Sequence, residues 1–214
     1  MNSNFKKILS LTAVAAVFSF IFFLGSEAQV AQAVTDSFTV GIDVTAEISL
    51  TCPDTAVSMS SSGQIAGISG GESFGSTVCS VVTNNAAGYS LKVHASTAPA
   101  LQKGVSVYFD DHIVTPSFNF VSSTASSTFG FSVSSTDAVT AFKNDGSSCG
   151  AGSGSSYFRC YRGFNGTSDV EIANGSAVTA GTSSTIAFRA VVGSSKHQET
   201  GSYSSTVTVT ALTQ

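Results

Sequence analysis

Tryptophan is absent, proline occurs three times in 214 residues, and only 10% of the residues are charged. Nine Lys and Arg in all exclude a nucleic-acid partner, which demands a basic patch to displace counterions from phosphates. Once residues 1–33 are set aside, 7 basic and 12 acidic residues remain, a net charge of about −5. Scarce charge also excludes disorder. A disordered chain is highly charged and poor in apolar residues, whereas this one is 42% hydrophobic with 16 Phe. Zinc held by four thiolates wants cysteine pairs separated by two residues, and no such pair occurs.

The one long apolar run, Ile8 to Leu24, follows Lys6 and Lys7 and precedes Ala31-Gln32-Ala33, a small-x-small cleavage site. Residues 1–33 therefore read as an export signal, with a mature chain from Val34. The competing assignment is an uncleaved anchor, since a run of 17 residues is marginal for a bilayer span. No cysteine follows the run to take a lipid, so soluble release or non-covalent surface attachment is expected, with no membrane partner after cleavage.

Export places Cys52, Cys79, Cys149 and Cys160 where disulfides persist. Of the three connectivities open to four cysteines, Cys52 with Cys79 and Cys149 with Cys160 join sequence neighbours across loops that close within one domain. The second would staple GSSCGAGSGSSYFRC, whose Gly and Ser are entropically costly to order. Closing a loop that short contributes roughly 3 kcal/mol in chain-entropy terms.

Residues 34–214 fit one domain. Helical periodicity is absent after residue 33, while short runs alternating apolar and hydroxyl residues recur between Gly, Asn and Ser clusters. The expected fold is all-β, an antiparallel two-sheet β-sandwich of immunoglobulin-like or jelly-roll-like type. The clearest strand is FTVGIDVTAEISL, residues 38–50, with Phe38, Val40, Ile42, Val44, Ala46, Ile48 and Leu50 on one face. At roughly 43 Å it is overlong for one strand, and Gly41 is its natural break. Further strands are expected in STVCSVVT, YSLKVHAS, GVSVYFD, SFNFV, STFGFSV, AVTAF, YFRCYRGF, STIAFRAVV and YSSTVTVTAL. In YSLKVHA, Tyr89, Leu91, Val93 and Ala95 face inward.

TNNAAGYSL reads as strand, turn and strand, the turn built on Asn84, Asn85 and Gly88, which tolerate left-handed backbone. Tyr203, beside Gly201, is expected to pack its ring inward and bond its hydroxyl to nearby backbone, a sandwich-corner device. In order along the chain, TNNAAGYSLKV, TFGFSV, IAFRAVVG and GSYSSTVTVTA resemble a broad group of bacterial secreted or cell-surface β-sandwich proteins. That group is similar to the spore coat U, fimbrial-subunit and WxL-type surface domains. The resemblance spans most of residues 38–212, without Trp and hence without a WxL motif. It implies an envelope or filament component and no catalysis.

A filament subunit needs an interface. Phe38, Val40, Ile42 and Val44, within residues 34–45, would suit a strand donated into a neighbour's sheet, which gains backbone hydrogen bonds and alternate side-chain pockets. The alternative is an ordinary first strand. A second function class is glycan binding or adhesion. Tyr157, Phe158, Tyr161 and Phe164, with Arg159 and Arg162 around Cys160, would present aromatic faces and donors, although core packing explains them equally well.

Catalysis has little to stand on. Asp110-Asp111-His112 groups carboxylates with an imidazole, but successive strand residues point to opposite faces, and a polar strand end explains the trio. His94 and His197 have no partner that the sequence identifies. The sequons at Asn165 and Asn174 read as turns. The expectation is thus an exported structural or adhesive surface component, non-enzymatic, with no cofactor and no metal. Its partners would be itself, as a homopolymer, or other cell-envelope components, and the alternative is a monomeric glycan-binding module.

Overall fold

The computed structural model describes residues 34–59 and 65–214, so the expected export signal lies outside the described residues. The chain falls into two units, residues 1–43 and Val44–Gln214. In the first, residues 34–43 form no regular secondary structure and all are exposed.

The second unit is all-β. Its strands are β1 (Ile48–Thr51), β2 (Gly71–Thr83), β3 (Tyr89–Ala95), β4 (Gln102–Gly104), β5 (Val107–Tyr108), β6 (Asp110–Asp111), β7 (Ser127–Ser135), β8 (Lys143–Asn144), β9 (Gly154–Ser155), β10 (Val170–Gly175), β11 (Thr179–Val192) and β12 (Val207–Thr213). Five form one sheet in the order β1-β2-β11-β7-β6, three form a second in the order β10-β3-β12, and β4-β5 and β8-β9 are small hairpins. The spine of the larger sheet is antiparallel. β11 pairs with β2 from Thr182 opposite Val81 to Val192 opposite Gly71, and with β7 from Ser184 opposite Ser135 to Val192 opposite Ser127.

Period-two alternation decides what each strand buries. In β2, Ser73, Thr77, Cys79, Val81 and Thr83 point inward while Ser76, Val78 and Val82 are exposed. In β3 the inward set is Tyr89, Leu91, Val93 and Ala95, as the sequence pattern predicts. These side chains meet Phe129, Phe131, Val133, Ile186 and Phe188 of the larger sheet in one core, which makes the fold a β-sandwich. Phe131 sits at its centre, 4.7 Å from the Phe164 ring and 5.8 Å from that of Phe142. The buried Tyr89 hydroxyl donates to Asp137 Oδ2 at 2.9 Å, and burial together with that carboxylate pushes the phenol well above its ordinary range.

The structure joins Cys52 to Cys79 and Cys149 to Cys160, the pairs that sequence proximity favours. Other expectations change. No strand runs from 38 to 50: regular pairing begins at Ile48, opposite Thr83. Thr83 is the last residue of β2, so the ladder offers earlier residues no further edge. Asn84 takes over instead, its side chain donating to Thr45 O at 2.8 Å and accepting from Glu47 N–H at 2.6 Å. Gly41 therefore breaks nothing.

GVSVYFD is cut into short pieces, and AVTAF contains a 3-10 turn over Thr140–Phe142. SFNFV and YFRCYRGF pair only through isolated bridges. The strand β10 lacked a readable signal because Glu171, Asn174 and Gly175 interrupt its apolar residues. Asn174 accordingly lies in a strand, whereas Asn165 does open a turn, closed by Ser168 N–H at 3.1 Å. In the β2–β3 turn only Gly88 is left-handed, at φ 88°. The two asparagines act through their side chains, Asn85 donating to Gln214 O at 2.6 Å.

Two substitutions test this packing. Phe131→Ala should lower unfolding free energy by about 3–5 kcal/mol, the usual cost of emptying a buried aromatic site. Gly88→Ala should also destabilise, because a Cβ there would overlap the Gly175 carbonyl and φ is left-handed. Urea denaturation of the oxidised protein measures both, and an unchanged midpoint for either would refute its assigned role.

Candidate functional site: the groove beside β12

β12 pairs with β3 from Val207 opposite Ala95 to Thr213 opposite Tyr89, and it ends the sheet order β10-β3-β12. Among the described residues no strand is hydrogen-bonded to its other edge, although β1 of the larger sheet lies close to part of it. The consequence shows in burial: Val207, Val209 and Ala211 remain half-buried although they continue the inward face on which β3 is fully buried. An edge of this kind offers a row of backbone groups to another strand.

Between that edge and the inner face of the larger sheet lies a groove of about 1120 Å³. Its floor is apolar, formed by Ile186, Phe188, Ala190 and Val192 of β11 with Phe129 of β7 and the Cys52–Cys79 bridge. One wall is Val207 and Val209 with Tyr203, and the other includes Val57 and Met59 from the segment after Cys52. That segment is tied to β2 by Ser73 Oγ, which donates to Met59 O at 2.6 Å, and Val57 packs against Gly75.

Tyr203 behaves as expected of a corner tyrosine. Its hydroxyl donates to Glu199 O at 2.7 Å and accepts from Gln198 Nε2 at 2.8 Å, while its ring meets Phe109 edge-on at 5.1 Å. Lys103 Nζ pairs with Glu199 Oε1 at 2.5 Å and so steadies the same wall. Of the residues lining the groove, Thr77, Gln198 and Ser205 each hold a buried side-chain oxygen with no hydrogen-bond partner.

The other sequence-derived positions do not assemble into a second site. Phe38, Val40, Ile42 and Val44 are 90, 81, 89 and 79% exposed. Tyr157 and Phe158 are exposed with ring centroids 4.1 Å apart, but Tyr161 and Phe164 are buried. The four therefore form no common platform, because Phe164 serves the core and Tyr161 packs edge-on against Phe120 at 5.2 Å. Arg159 lies 4.8 Å over the Phe118 ring, and Arg162 Nε donates to Gly163 O at 3.1 Å.

Asp110 is exposed, Asp111 Oδ1 accepts from Ala100 N–H at 3.2 Å, and His112 is buried. Burial pushes the Asp111 carboxyl up and the His112 imidazole down. His94 has a partner after all: Asp169 Oδ1 lies 2.9 Å from its Nδ1, brought there by the pairing of β10 with β3 from 75 residues away. Among the described residues no three His, Cys, Asp or Glu are placed to hold a metal ion, and no helix is long and apolar enough to cross a membrane.

No family model, curated protein or solved structure matches the chain. The groove residues split by origin. Those on β11 and β12 follow from alternation, whereas Val57, Met59, Gln198 and Ser205 sit in irregular segments that carry no periodic signal.

Tyr203→Phe removes both hydrogen bonds of the corner and should cost about 1–2 kcal/mol. Urea denaturation is the check, and a loss below a few tenths would mean that the ring alone holds the wall.

Proposed function

We propose that the protein is an exported structural component of the cell surface whose copies assemble by strand donation, residues 34–45 of one copy lying in the groove beside β12 of the next. The observation that carries this is the exposure of Phe38, Val40, Ile42 and Val44, each about four-fifths or more open to solvent. Four large apolar side chains on one alternating face are costly to leave in water, and burying each contributes about 1.5–3 kcal/mol. Thr39, Gly41 and Asp43 alternate with them, so one face would enter a groove and the other would stay wet.

Phe38 to Val44 spans seven residues, about 23 Å when extended, and the groove runs from Gln198 through Tyr203 to Val207 and Val209 at the start of β12. Strand addition supplies the backbone bonds that the edge of β12 lacks, while alternate side chains fill pockets over the apolar floor. Two disulfides support an oxidising, extracellular setting. A surface of hydroxyls rather than charges suits the same setting.

Negative-stain electron microscopy of the oxidised, concentrated chain from Val34 to Gln214 should show regular filaments. Deleting residues 34–45 should leave dispersed particles that bind a synthetic 34–45 peptide. Val40→Asp or Ile42→Asp in that peptide should weaken binding at least tenfold, about 1.4 kcal/mol. Assembly that survives the deletion would sink the proposal.

A further inference from the structure

A second feature stands apart from the groove. Residues 112–122 and 156–163 lie along the edge and outer face of β7 without regular strands. They reach the sheet through few backbone bonds: His112 N–H donates to Phe129 O at 2.7 Å, and Arg162 and Phe131 exchange two bonds at 2.8 Å. Ser117 and Tyr161 bridge the two segments to each other.

An aromatic and cationic cluster fills the space beneath. His112 is only 4% exposed and stacks on Phe120, with centroids 4.7 Å apart and 14° between the planes. Arg189, from β11, lies over Phe74, Phe120 and Tyr161 at 4.8, 5.1 and 5.6 Å. A Cβ at Gly163 would collide with the His112 backbone, and one at Gly130 would meet the Arg162 carbonyl and then His112 Cβ, so sheet and cover approach each other backbone to backbone at these two glycines. The His112 Nε2 is buried with no hydrogen-bond partner.

We infer that this cover is released in acid, with His112 as the trigger. Neutral imidazole suits the stack, but the protonated ring would carry a second N–H with no acceptor into a cluster already holding a guanidinium. The charged groups facing it are few. β11 supplies Arg189, and β2 supplies Glu72, whose carboxylate is ion-paired with Arg189. The 156–163 segment supplies Arg159 and the half-buried Arg162, along with the Tyr161 phenol. β6 supplies the exposed Asp110 and the half-buried Asp111, the latter bonded to Ala100. β7 and residues 113–122 contain no charged side chain.

Burial already holds the imidazole below its ordinary 6.5, with Arg189 adding to the effect. The closed cover therefore binds fewer protons than the open one. Its stability is level above pH 6.5 and falls as pH drops through 6.5 towards the closed-state value, by at most about tenfold in the opening constant per pH unit. Asp111, pushed up by burial, favours the closed form on protonation and acts only nearer the carboxylate range. Opening would uncover Phe118, Phe120 and Tyr161.

Amide hydrogen exchange of the intact protein from pH 7.5 to 5, corrected for intrinsic rates, tests this. Protection in 112–122 and 156–163 should fall by up to about tenfold per unit below 6.5, while β3 and β11 hold. His112→Phe keeps an aromatic stack but cannot take a proton, so it should abolish the pH slope. Undiminished protection at pH 5, or the same slope in His112→Phe, overturns the inference. If that variant does not fold, the wild-type His112 ring-proton NMR titration decides: protonation concurrent with loss of protection supports release, and protonation under full protection refutes it.

Discussion

Strand length mismatch governs this sandwich. β2 and β11 run for 13 and 14 residues, yet β3 and β12, which face them, have seven each and β10 six. A long antiparallel ladder satisfies its own backbone groups wherever it goes, but its inner face still needs apolar cover. The short sheet covers only part of it. Over Phe188, Ala190 and Val192 the cover comes from irregular segments bearing Leu101, Phe109 and Tyr203, and it is incomplete. The groove is thus the remainder left when two sheets of unequal length are packed together.

The core was legible in the sequence wherever a strand has one wet face and one dry face. YSLKVHA, STFGFSV and STIAFRAVV all fall in regular strands, and Tyr89, Leu91 and Val93 point as their alternation requires. The sequence misled at 38–50, where the alternation is as clean as anywhere in the chain. Period two shows that a segment is suited to a sheet; whether an edge is available depends on the partner strand, and β2 stops at Thr83. That gap between suitability and partner is what the proposed assembly would close.

The candidate site was half legible. Its floor follows from β11, but one wall depends on Val57 and Met59 packing beside β2, a tertiary outcome with no local pattern. The aromatic cluster around Cys160 shows the opposite failure. Composition grouped Tyr157, Phe158, Tyr161 and Phe164, but Phe164 points inward and Tyr161 lies beneath Arg189, and Cys160, at a left-handed φ of 57°, stands between the exposed pair and the buried pair. Adjacency in sequence predicts a shared face only where the backbone is regular.

The Cys52–Cys79 bridge has a mechanical meaning. It fixes the chain to the middle of the longest ladder immediately after β1. A pull applied at the N-terminal side would load the four residues of β1 and then meet a covalent bond, so only that short strand can be stripped away before tension passes into β2. Slack is limited to what lies ahead of Cys52, and the rest of the sheet bears load as one body.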